Sequence, residues 1–501
     1  MILYQKERKG KDAKKQPHLR APAMDDSTAP AAGVSVRWNT NTQTPHGGQE
    51  WRDLSYFVSD FSVTTNCLGT PQDALRAAAA ALKDTSHYPS SDQEPALSRV
   101  AAFLAGAAAA DRSCCVPGKQ SQQHKQNQRP REDKEEEQLE RQQKRDWQEK
   151  VLQKQHLEEE IENQRLDGNG GGKREKENEE EGDELQQQQH RKRNQSQQKA
   201  KKEQPHNSQA AAAACSSLRD RLLLGNGASE LIDLCVRTAG ATAWMPGVGD
   251  VQYKEYERSA ENYGLKRAKG READLLCIVN PCNPTGDFLH IEDLKKLVEE
   301  RATDDACVLV DESMLPWYGH DWRSQSLVTH DTWITDIYAQ RGVRVFVIHS
   351  WTKLWACPGL RCGSVLAPTA KEATYLRKYQ VPWSVNTVAI SFLSKVVEDV
   401  AYVEKTWKVT SKWNSEFRSK LKDIQPQWDI FGEIWLPFIW IDTKSAHVAQ
   451  FYVSICMKAG VPIRWGAHGY QRPTNIRVAV RHPALSSIVL DAFKTPCPIR
   501  D

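Results

Sequence analysis

Three polar side chains follow an apolar, β-branched stretch in the second half of this 501-residue chain. Ser350, Lys353 and Arg361 come after residues 343–348, which read as a buried strand. A lysine held in an apolar pocket has a lowered pKa, and its neutral amine can form a Schiff base with an aldehyde. The serine hydroxyl and the arginine guanidinium suit a phosphate. Together these residue types predict a site for pyridoxal phosphate, an aldehyde that carries a phosphate.

Two further segments place polar groups at the ends of predicted strands. Asn283 lies in the string Asn-Pro-Cys-Asn-Pro-Thr-Gly after strand 275–279, and Asp311 ends strand 307–310. A carboxylate there can pair with a pyridine nitrogen and keep it protonated, which makes the ring an electron sink. The alternatives are an ordinary proline-rich turn and an aspartate that caps the following turn.

A glycine-containing turn precedes a predicted helix earlier in the chain. Gly225 and Gly227 flank one asparagine, and Ala228 and Ser229 then open the helix. Glycines let the backbone approach a ligand closely, and the free N–H groups of a helix N-terminus attract an anion. Small-residue helix caps are common, so this turn alone indicates little.

The string Ser-x-x-Lys-x-x-x-x-Pro-Gly-Leu-Arg-x-Gly, starting at Ser350, resembles the cofactor-lysine signature of class I/II aminotransferases. These are fold-type I enzymes that depend on pyridoxal phosphate. The order and approximate spacing of Asn283, Asp311, Lys353 and Arg361 match that family. The resemblance implies that Lys353 forms the Schiff base and acts as acid and base, and that Asn283 donates to the cofactor's phenolic oxygen. It also implies that Ala228 and Ser229 contact the phosphate through backbone N–H groups.

The resemblance further implies an α/β fold. We expect a mostly parallel central sheet with helices on both faces, and a smaller α+β C-terminal domain. The pattern of the chain agrees, because continuous apolar strands alternate with amphipathic helices such as residues 291–301. Strands of this kind are typical of parallel sheets that are buried on both faces. Ligands bind at the carboxyl ends of such strands.

Two aromatic segments resemble family elements around the cofactor. Tyr253 is the candidate to stack on the pyridine ring, and Tyr256 is the candidate substrate-binding hydroxyl. The alternative is that both are core tyrosines at helical spacing. The segment around Tyr88 resembles one that reaches the phosphate of a neighbouring subunit, which implies a homodimer. The alternative for Tyr88 is a simple turn.

A predicted strand near the C-terminus carries two arginines on one face. Alternation along residues 475–481 places Arg477 and Arg481 on the same side. Relatives use the first arginine of this strand to bind the substrate α-carboxylate, so Arg477 is the expected anchor. For Arg481 we expect a solvated charge at the end of the strand.

The chain departs from the family pattern at three positions. Many members have tyrosine where this chain has Met314, and methionine cannot donate to the phenolic oxygen. We therefore expect the Schiff base to hold its proton to higher pH than in tyrosine-containing relatives. Thr64 and Cys67 replace the asparagine and proline that are usual in the loop of residues 58–69.

The N-terminal strings point to one branch of the family. Residues 46–48 and 58–69 resemble histidinol-phosphate aminotransferases, and most closely threonine-phosphate decarboxylases. We expect an aminotransferase with two substrates, an amino acid and a 2-oxo acid. Phosphorylated amino acids are among the expected amino donors. The first alternative is a decarboxylase. The second is a catalytically degenerate protein of this fold that serves in interactions.

Composition bears on the partners, the compartment and the metal content of the protein. The net charge of +3 gives no reason to expect nucleic acid as a partner, and no run of 18 apolar residues predicts a membrane span. Twelve scattered cysteines without regular spacing favour reduced thiols and a cytoplasmic protein. No metal site is expected.

The chain divides into five predicted segments. Residues 1–45 form a polar arm, and residues 46–110 form the N-terminal segment of the enzyme. Residues 111–216 are a low-complexity insertion, rich in Gln, Glu, Lys and Arg, with too few large aliphatic side chains to form a core. Residues 217–370 are the predicted large cofactor-binding domain, and residues 371–501 the small domain.

Overall fold

Seven strands form the central sheet in the computed structural model, which describes residues 48, 54, 56–106, 214–269 and 273–498. In chain order the strands are β1 (Leu222–Asn226), β2 (Ala243–Pro246), β3 (Lys266–Arg267), β4 (Leu275–Val279), β5 (Cys307–Asp311), β6 (Arg344–Ser350) and β7 (Cys362–Leu366). Across the sheet they lie in the order β1-β7-β6-β5-β4-β2-β3.

The middle of this sheet is parallel and one side is not. Strand β2 pairs in parallel with β3 and β4, and the β4–β5 and β5–β6 pairs are also parallel. Strand β7 runs antiparallel to both of its neighbours, β6 and β1. Only a short segment joins β6 to β7, and a parallel return needs a longer crossover.

The central strands are buried on both faces. Along β4, Leu276 and Ile278 pack into one apolar cluster, whereas Leu275 and Cys277 pack into another on the opposite side. Successive side chains of a strand point to opposite faces, so two hydrophobic layers enclose the sheet. This double burial explains why the strands are continuously apolar in sequence.

Twelve α-helices, besides the helical residues 214–221 and the single turn Ala467–Tyr470, surround the two sheets of the described residues. They are α1 (Gln72–Ala80), α2 (Ala96–Ala105), α3 (Ala228–Thr238), α4 (Glu255–Asn262), α5 (Ile291–Arg301), α6 (Asp331–Arg341), the single turn α7 (Trp351–Leu354), α8 (Ala370–Tyr379), α9 (Thr387–Val396), α10 (Val400–Ile424), α11 (Ala446–Lys458) and α12 (Pro483–Phe493). Two of these bear on the site, because α3 follows β1 directly and α7 follows β6.

A second, smaller sheet lies in the C-terminal part of the chain. Its strands are β8 (Asp429–Phe431), β9 (Phe438–Asp442), β10 (Arg464–Trp465) and β11 (Asn475–Ala479), in the order β10-β11-β9-β8. All of its pairings are antiparallel. A third apolar cluster packs against this sheet and includes Phe61 from the N-terminal segment.

The expected fold class is confirmed, with adjustments at the ends of elements. Helix α2 begins at Ala96, after Pro95, and the Glu94 carboxylate accepts from the backbone N–H and the hydroxyl of Ser98 in its first turn. Residues 214–216, assigned above to the insertion, are already helical, and Cys215 is buried in the core. The rest of the predicted insertion lies outside the described residues.

The described part of the chain contains neither a membrane-spanning helix nor a cluster of metal ligands. No helix there is long and apolar enough to cross a membrane. No group of His, Cys, Asp or Glu side chains there could hold a metal ion.

Candidate active site

A cavity opens at the carboxyl ends of β4, β5 and β6. Eight residues chosen from sequence line it, and they come from five separate segments: Ala228, Ser229, Tyr253, Asn283, Asp311, Ser350, Lys353 and Arg361. Five more complete the wall: Val279, Pro281, Ser313, Met314 and Thr352. The sequence motifs therefore meet at one place.

Strand register explains why these side chains meet. Val279 pairs with Asp311, and Asp311 pairs with Ile348, so the ends of three parallel strands lie in one row. Ser350 pairs with Gly363 of β7, which in turn pairs with Gly225 of β1. The start of α3 is thereby brought beside the end of β6.

Lys353 lies on the short helix α7, three residues after β6 ends. Burial, together with the nearby guanidinium groups of Arg477 and Arg361, lowers the pKa of its amine from 10.5 to about 8. The Asp311 carboxylate opposes this effect. An amine with this pKa is partly neutral near pH 7 and is a competent nucleophile.

A group of donors beside Lys353 suits an anion. Helix α3 starts at Ala228 after Gly227, whose φ of 78° suits glycine. A Cβ atom at Gly227 would lie 2.3 Å from the Arg361 guanidinium, and one at Gly363 would lie 2.6 Å from the Ala228 nitrogen. Glycine at both positions lets the helix N-terminus and the arginine converge, which is the arrangement a phosphate requires.

Asp311 is buried and is held by several hydrogen bonds. Its Oδ1 accepts from the backbone N–H of Ser313 at 2.9 Å, and its Oδ2 accepts from the Tyr256 hydroxyl at 3.0 Å. Burial raises the pKa of the Asp311 carboxyl, whereas both of these partners lower it. The carboxylate is thus oriented into the cavity as a fixed hydrogen-bond acceptor.

Tyr256 has a different position from the one expected. It is fully buried, and it is not among the residues that line the cavity. Its hydroxyl donates to Asp311, so it holds the carboxylate from the protein interior and does not face a substrate in the cavity. Helical spacing cannot distinguish these two positions, because the orientation of α4 against the sheet decides between them. Tyr253 does line the cavity, as expected of a residue that stacks on a ring.

Arg477 connects the small sheet to the cavity. It is buried, and its Nη1 donates to the Asn283 side-chain oxygen while its Nη2 donates to the Ser62 carbonyl. Its Nε has no hydrogen-bond partner among the described residues. A buried N–H without a partner is costly, so this guanidinium is suited to binding an anion.

Arg481 contradicts the expectation of a solvated charge. Only 7% of the residue is exposed, and its guanidinium donates to the backbone carbonyls of Val480 and of Asp60, Val63 and Thr65. Alternation along β11 correctly placed Arg477 and Arg481 on one side. It gave no indication that residues 60–65 would cover that side.

Tyr88 does not line the cavity. Its side chain is 78% exposed and stacks on Trp383, with 4.2 Å between the ring centroids. An exposed position is compatible with the expected contact to a neighbouring subunit.

Sequence reasoning overlooked three groups at the site. The Ser313 hydroxyl accepts from the backbone N–H of Ser350 at 2.7 Å and so ties β5 to β6. The Thr352 hydroxyl lies 2.8 Å from that of Ser350. Arg464 is buried on β10 directly opposite Arg477. Each is close in sequence to a residue already chosen or sits at a strand end, which was the available signal.

The residues of the cavity suit pyridoxal phosphate. The α3 N-terminus, Ser350, Thr352 and Arg361 can bind a phosphate, and the Lys353 amine can bind the aldehyde. The carboxylate of Asp311, strengthened by the Tyr256 hydroxyl, suits a protonated pyridine nitrogen. All of these groups line one cavity or support one of its residues.

Comparison with known proteins gives an independent result. Residues 206–492 match the family described as aminotransferase class I and II. A putative threonine-phosphate decarboxylase of Caldanaerobacter subterraneus subsp. tengcongensis is 24% identical over 298 residues, which are 55% of this chain and 77% of that protein. Histidinol-phosphate aminotransferase 1 of Dechloromonas aromatica is also 24% identical, over 56% of this chain and 77% of that protein.

Solved structures share the fold. The histidinol-phosphate aminotransferase of Clostridium acetobutylicum superposes with a TM-score of 0.55 at 17% identity, over 87% of this chain and 98% of that one. The enzyme of the same name from Sinorhizobium meliloti, in complex with pyridoxal-5'-phosphate, gives a TM-score of 0.56 at 13% identity, over 89% and 92%.

Proposed function

Because the chain belongs to the class I and II aminotransferase family, we propose that it transfers an amino group from an amino acid to a 2-oxo acid. Enzymes of this family depend on pyridoxal phosphate, which is the cofactor of this protein as well. When bound, the cofactor withdraws electrons from the substrate Cα. The convergence of Lys353, Asp311, Asn283 and Arg361 on one cavity is the observation that supports this proposal best.

Lys353 has two roles in the proposal. Its amine would bind the aldehyde of the cofactor. The same amine would accept the proton from the substrate Cα and give it back during amino transfer. A pKa of about 8 suits both steps, because the amine can gain and lose a proton near neutral pH.

The other residues bind and orient. Arg361, Ser350, Thr352 and the first N–H groups of α3 hold the phosphate, and Asp311 keeps the pyridine nitrogen protonated. Asn283 donates to the phenolic oxygen, and its contact with Arg477 links the cofactor to the substrate anchor. Tyr253 stacks on the ring. We propose no direct substrate contact for Tyr256, whose hydroxyl holds Asp311.

Arg477 binds the substrate α-carboxylate in this proposal, and a second arginine suggests a second anion. Arg464 lies opposite Arg477 on the neighbouring strand, so both side chains emerge on one face of the small sheet. Both are buried. The relatives in the two comparisons are named for phosphorylated substrates, so we propose a phosphorylated amino acid, with Arg464 as the candidate partner of its phosphate.

The quaternary arrangement is also a proposal. We expect a homodimer in which the exposed Tyr88 reaches the cofactor phosphate of the other subunit. The five-segment division of the chain, with an insertion between the two parts of one catalytic unit, remains our proposal for its domains.

Decarboxylation is the second candidate. It is favoured by the similarity to the putative threonine-phosphate decarboxylase, and it would use the same residues for the cofactor. A degenerate, non-catalytic protein is disfavoured, because the four residues most needed for chemistry meet in one cavity.

Reductive trapping tests the role of Lys353. The protein is loaded with pyridoxal phosphate, reduced with borohydride, digested and analysed by mass spectrometry. We expect the phosphopyridoxyl mass on the peptide that contains Lys353 and no such mass in Lys353→Ala. A label on another lysine in the unchanged protein would refute the assignment.

A further inference from the structure

A short N-terminal segment connects the substrate anchor to the lysine helix. We call residues 58–66 the strap. At its start, the N–H groups of Val58 and Ser59 donate to the Gly460 carbonyl at 2.9 and 3.2 Å. At its end, the N–H of Asn66 donates to the carbonyl of Lys353 at 3.0 Å. The strap therefore touches the small domain and the cofactor-binding part of the chain.

The first half of the strap lies along the small sheet like an added strand. The N–H of Phe61 donates to the Pro462 carbonyl at 2.9 Å, and the Phe61 carbonyl accepts from the N–H of Ala479 at 3.0 Å. The Phe61 ring is fully buried in the core of the small domain. The carbonyl of the next residue, Ser62, accepts a hydrogen bond from the Nη2 of Arg477.

Arg481 holds the middle of the strap. Its Nη2 donates to the carbonyls of Asp60 at 2.7 Å and Val63 at 2.8 Å, and its Nη1 donates to that of Thr65 at 2.8 Å. A buried guanidinium needs its hydrogen bonds satisfied, and these carbonyls satisfy it only when the strap follows its observed path. The arginine thus specifies the course of the six residues before Asn66.

Asn66 fixes the other end. Its side-chain Nδ2 donates to the Leu354 carbonyl at 2.9 Å and to the Thr406 hydroxyl at 2.8 Å, and the side chain is buried. With the backbone bond to Lys353, Asn66 holds two successive carbonyls of the helix that carries the reactive amine. Among the described residues, Asn66 is the part of the strap that forms hydrogen bonds with that helix.

We propose that Arg481 and Asn66 are positioning residues that couple the substrate anchor to the lysine helix through the strap. Arg481 fixes the part of the strap in which the Ser62 carbonyl orients Arg477. Asn66 fixes the position of Lys353 relative to the same strap. Neither side chain contacts the cofactor or the reacting atoms in this scheme. The order of the strap and of the lysine helix can be measured without any turnover.

Hydrogen–deuterium exchange can follow this coupling in the full-length protein, with and without pyridoxal phosphate. The exchange rate is measured in three peptides: the strap, residues 351–357, and β5 as an internal reference. The variants are Arg481→Met, Arg481→Lys as the conservative replacement, and Asn66→Asp. Arg472→Met is the matched control, because Arg472 is an exposed arginine in the segment just before β11.

We expect Arg481→Met to speed exchange in the strap at least about tenfold and in residues 351–357 at least about threefold, with β5 unchanged. Arg481→Lys should lie between this variant and the unchanged protein, and Arg472→Met should behave like the unchanged protein. Faster exchange in the strap alone would overturn the coupling. An equal increase in all three peptides would show only general destabilisation and would overturn it too.

The Asn66→Asp variant tests the end of the strap at Lys353 separately from the part that Arg481 holds. The aspartate keeps the acceptor but loses the donor to Leu354, so residues 351–357 should exchange faster while residues 58–63 stay protected by Arg481. The dissociation constant of pyridoxal phosphate should rise about fivefold, the equivalent of one lost hydrogen bond. Unchanged exchange in residues 351–357 together with unchanged cofactor affinity would refute the role of Asn66.

Discussion

Lys353 is surrounded by opposing charges. Burial and the cations Arg477 and Arg361 disfavour its ammonium form, whereas the Asp311 carboxylate favours it. The balance gives a pKa of about 8. The lysine is therefore poised near working pH by residues from both the central and the small sheet, and its reactivity depends on how the two are joined.

Lys353→Met should stabilise the apo-protein near pH 7. There the unchanged protein carries a buried ammonium, since its folded pKa of about 8 lies above 7. Relative to the unfolded value of 10.5, this depressed pKa corresponds to a cost on the order of 3 kcal/mol below pH 8. Between pH 8 and 10.5 the unfolded chain binds the additional proton, so the stability of the unchanged protein rises and the difference closes. Urea unfolding at several pH values measures it.

The control for that experiment is Lys420→Met, which removes an exposed lysine. It should change the free energy of unfolding little at any pH. A stability difference for Lys353→Met that stays constant from pH 7 to 10.5 would contradict the lowered pKa.

Tyr256→Phe should change the pH dependence of the reaction. The hydroxyl donates to the ionised Asp311, so its loss raises the pKa of that carboxyl further. The carboxylate is needed ionised, and the acid limb of the rate profile should therefore move to higher pH. At pH 7 we expect turnover to fall about five- to tenfold, equivalent to one hydrogen bond to a charged group.

Tyr263→Phe is the matched control, because the exposed Tyr263 also donates to a carboxylate, that of Asp233, at 2.8 Å. Its pH profile should match that of the unchanged protein. If Tyr256→Phe lowered the rate equally at all pH values, Tyr256 would have a role other than supporting Asp311.

At this scale the sequence predicted the residues that lie in recognisable motifs and missed those that depend on tertiary packing. Asp311 ends β5, Asn283 and Lys353 follow β4 and β6 within four residues, and these parallel strands end at one edge of the sheet. Tyr256 and Arg481 depend on what packs against them, which no local pattern contains. The charge of Arg481 suggested solvent, but backbone carbonyls satisfy it instead.

At the scale of elements, the turn from β1 into α3 determines the phosphate site. Apolar runs in the sequence located the strands and the hydrophobic period located the helices. The sequence did not show that β7 runs antiparallel, since this follows from the short path through α7. That reversal brings Gly363 against the start of α3, and so completes the site.

Gly227→Ala should weaken cofactor binding. The added Cβ would lie 2.3 Å from the Arg361 guanidinium, and φ of 78° is strained for alanine. Displacing the arginine removes a charge-assisted contact to the phosphate, so the dissociation constant of pyridoxal phosphate should rise at least about tenfold. Absorbance titration of the apo-protein measures it.

Gly249→Ala serves as the control for this prediction, because a Cβ there would have nothing within 4 Å. Its cofactor affinity should be unchanged. Normal affinity in Gly227→Ala would show that Arg361 does not depend on the close approach at Gly227.

At the scale of the whole molecule, one catalytic unit is formed by parts of the chain far apart in sequence. Residues 56–106 pack with residues beyond 214: α1 lies against α9, and Phe61 lies in the core of the small domain. Composition identified the intervening segment as unable to form a core. It could not identify which distant parts of the chain would meet.

Replacing residues 111–210 by a short Gly/Ser linker should preserve the enzyme. Closing a shorter loop changes the chain entropy only slowly with length, and the core contacts of residues 96–105 and 214–221 remain. We expect the melting temperature to stay within a few degrees and the dissociation constant of pyridoxal phosphate to stay within about twofold. Loss of cofactor binding in a folded deletion variant would show that the segment contributes to the site.

The central claim is that this protein is an aminotransferase, and single-turnover spectroscopy tests it most directly. The protein loaded with pyridoxal phosphate is mixed with single amino acids and phospho-amino acids, the absorbance is followed, and CO2 is trapped. We expect one donor, a phosphorylated one, to convert the cofactor to pyridoxamine phosphate with one equivalent of 2-oxo acid and no CO2. Release of CO2 while the cofactor stays in its pyridoxal form would contradict the claim and establish a decarboxylase.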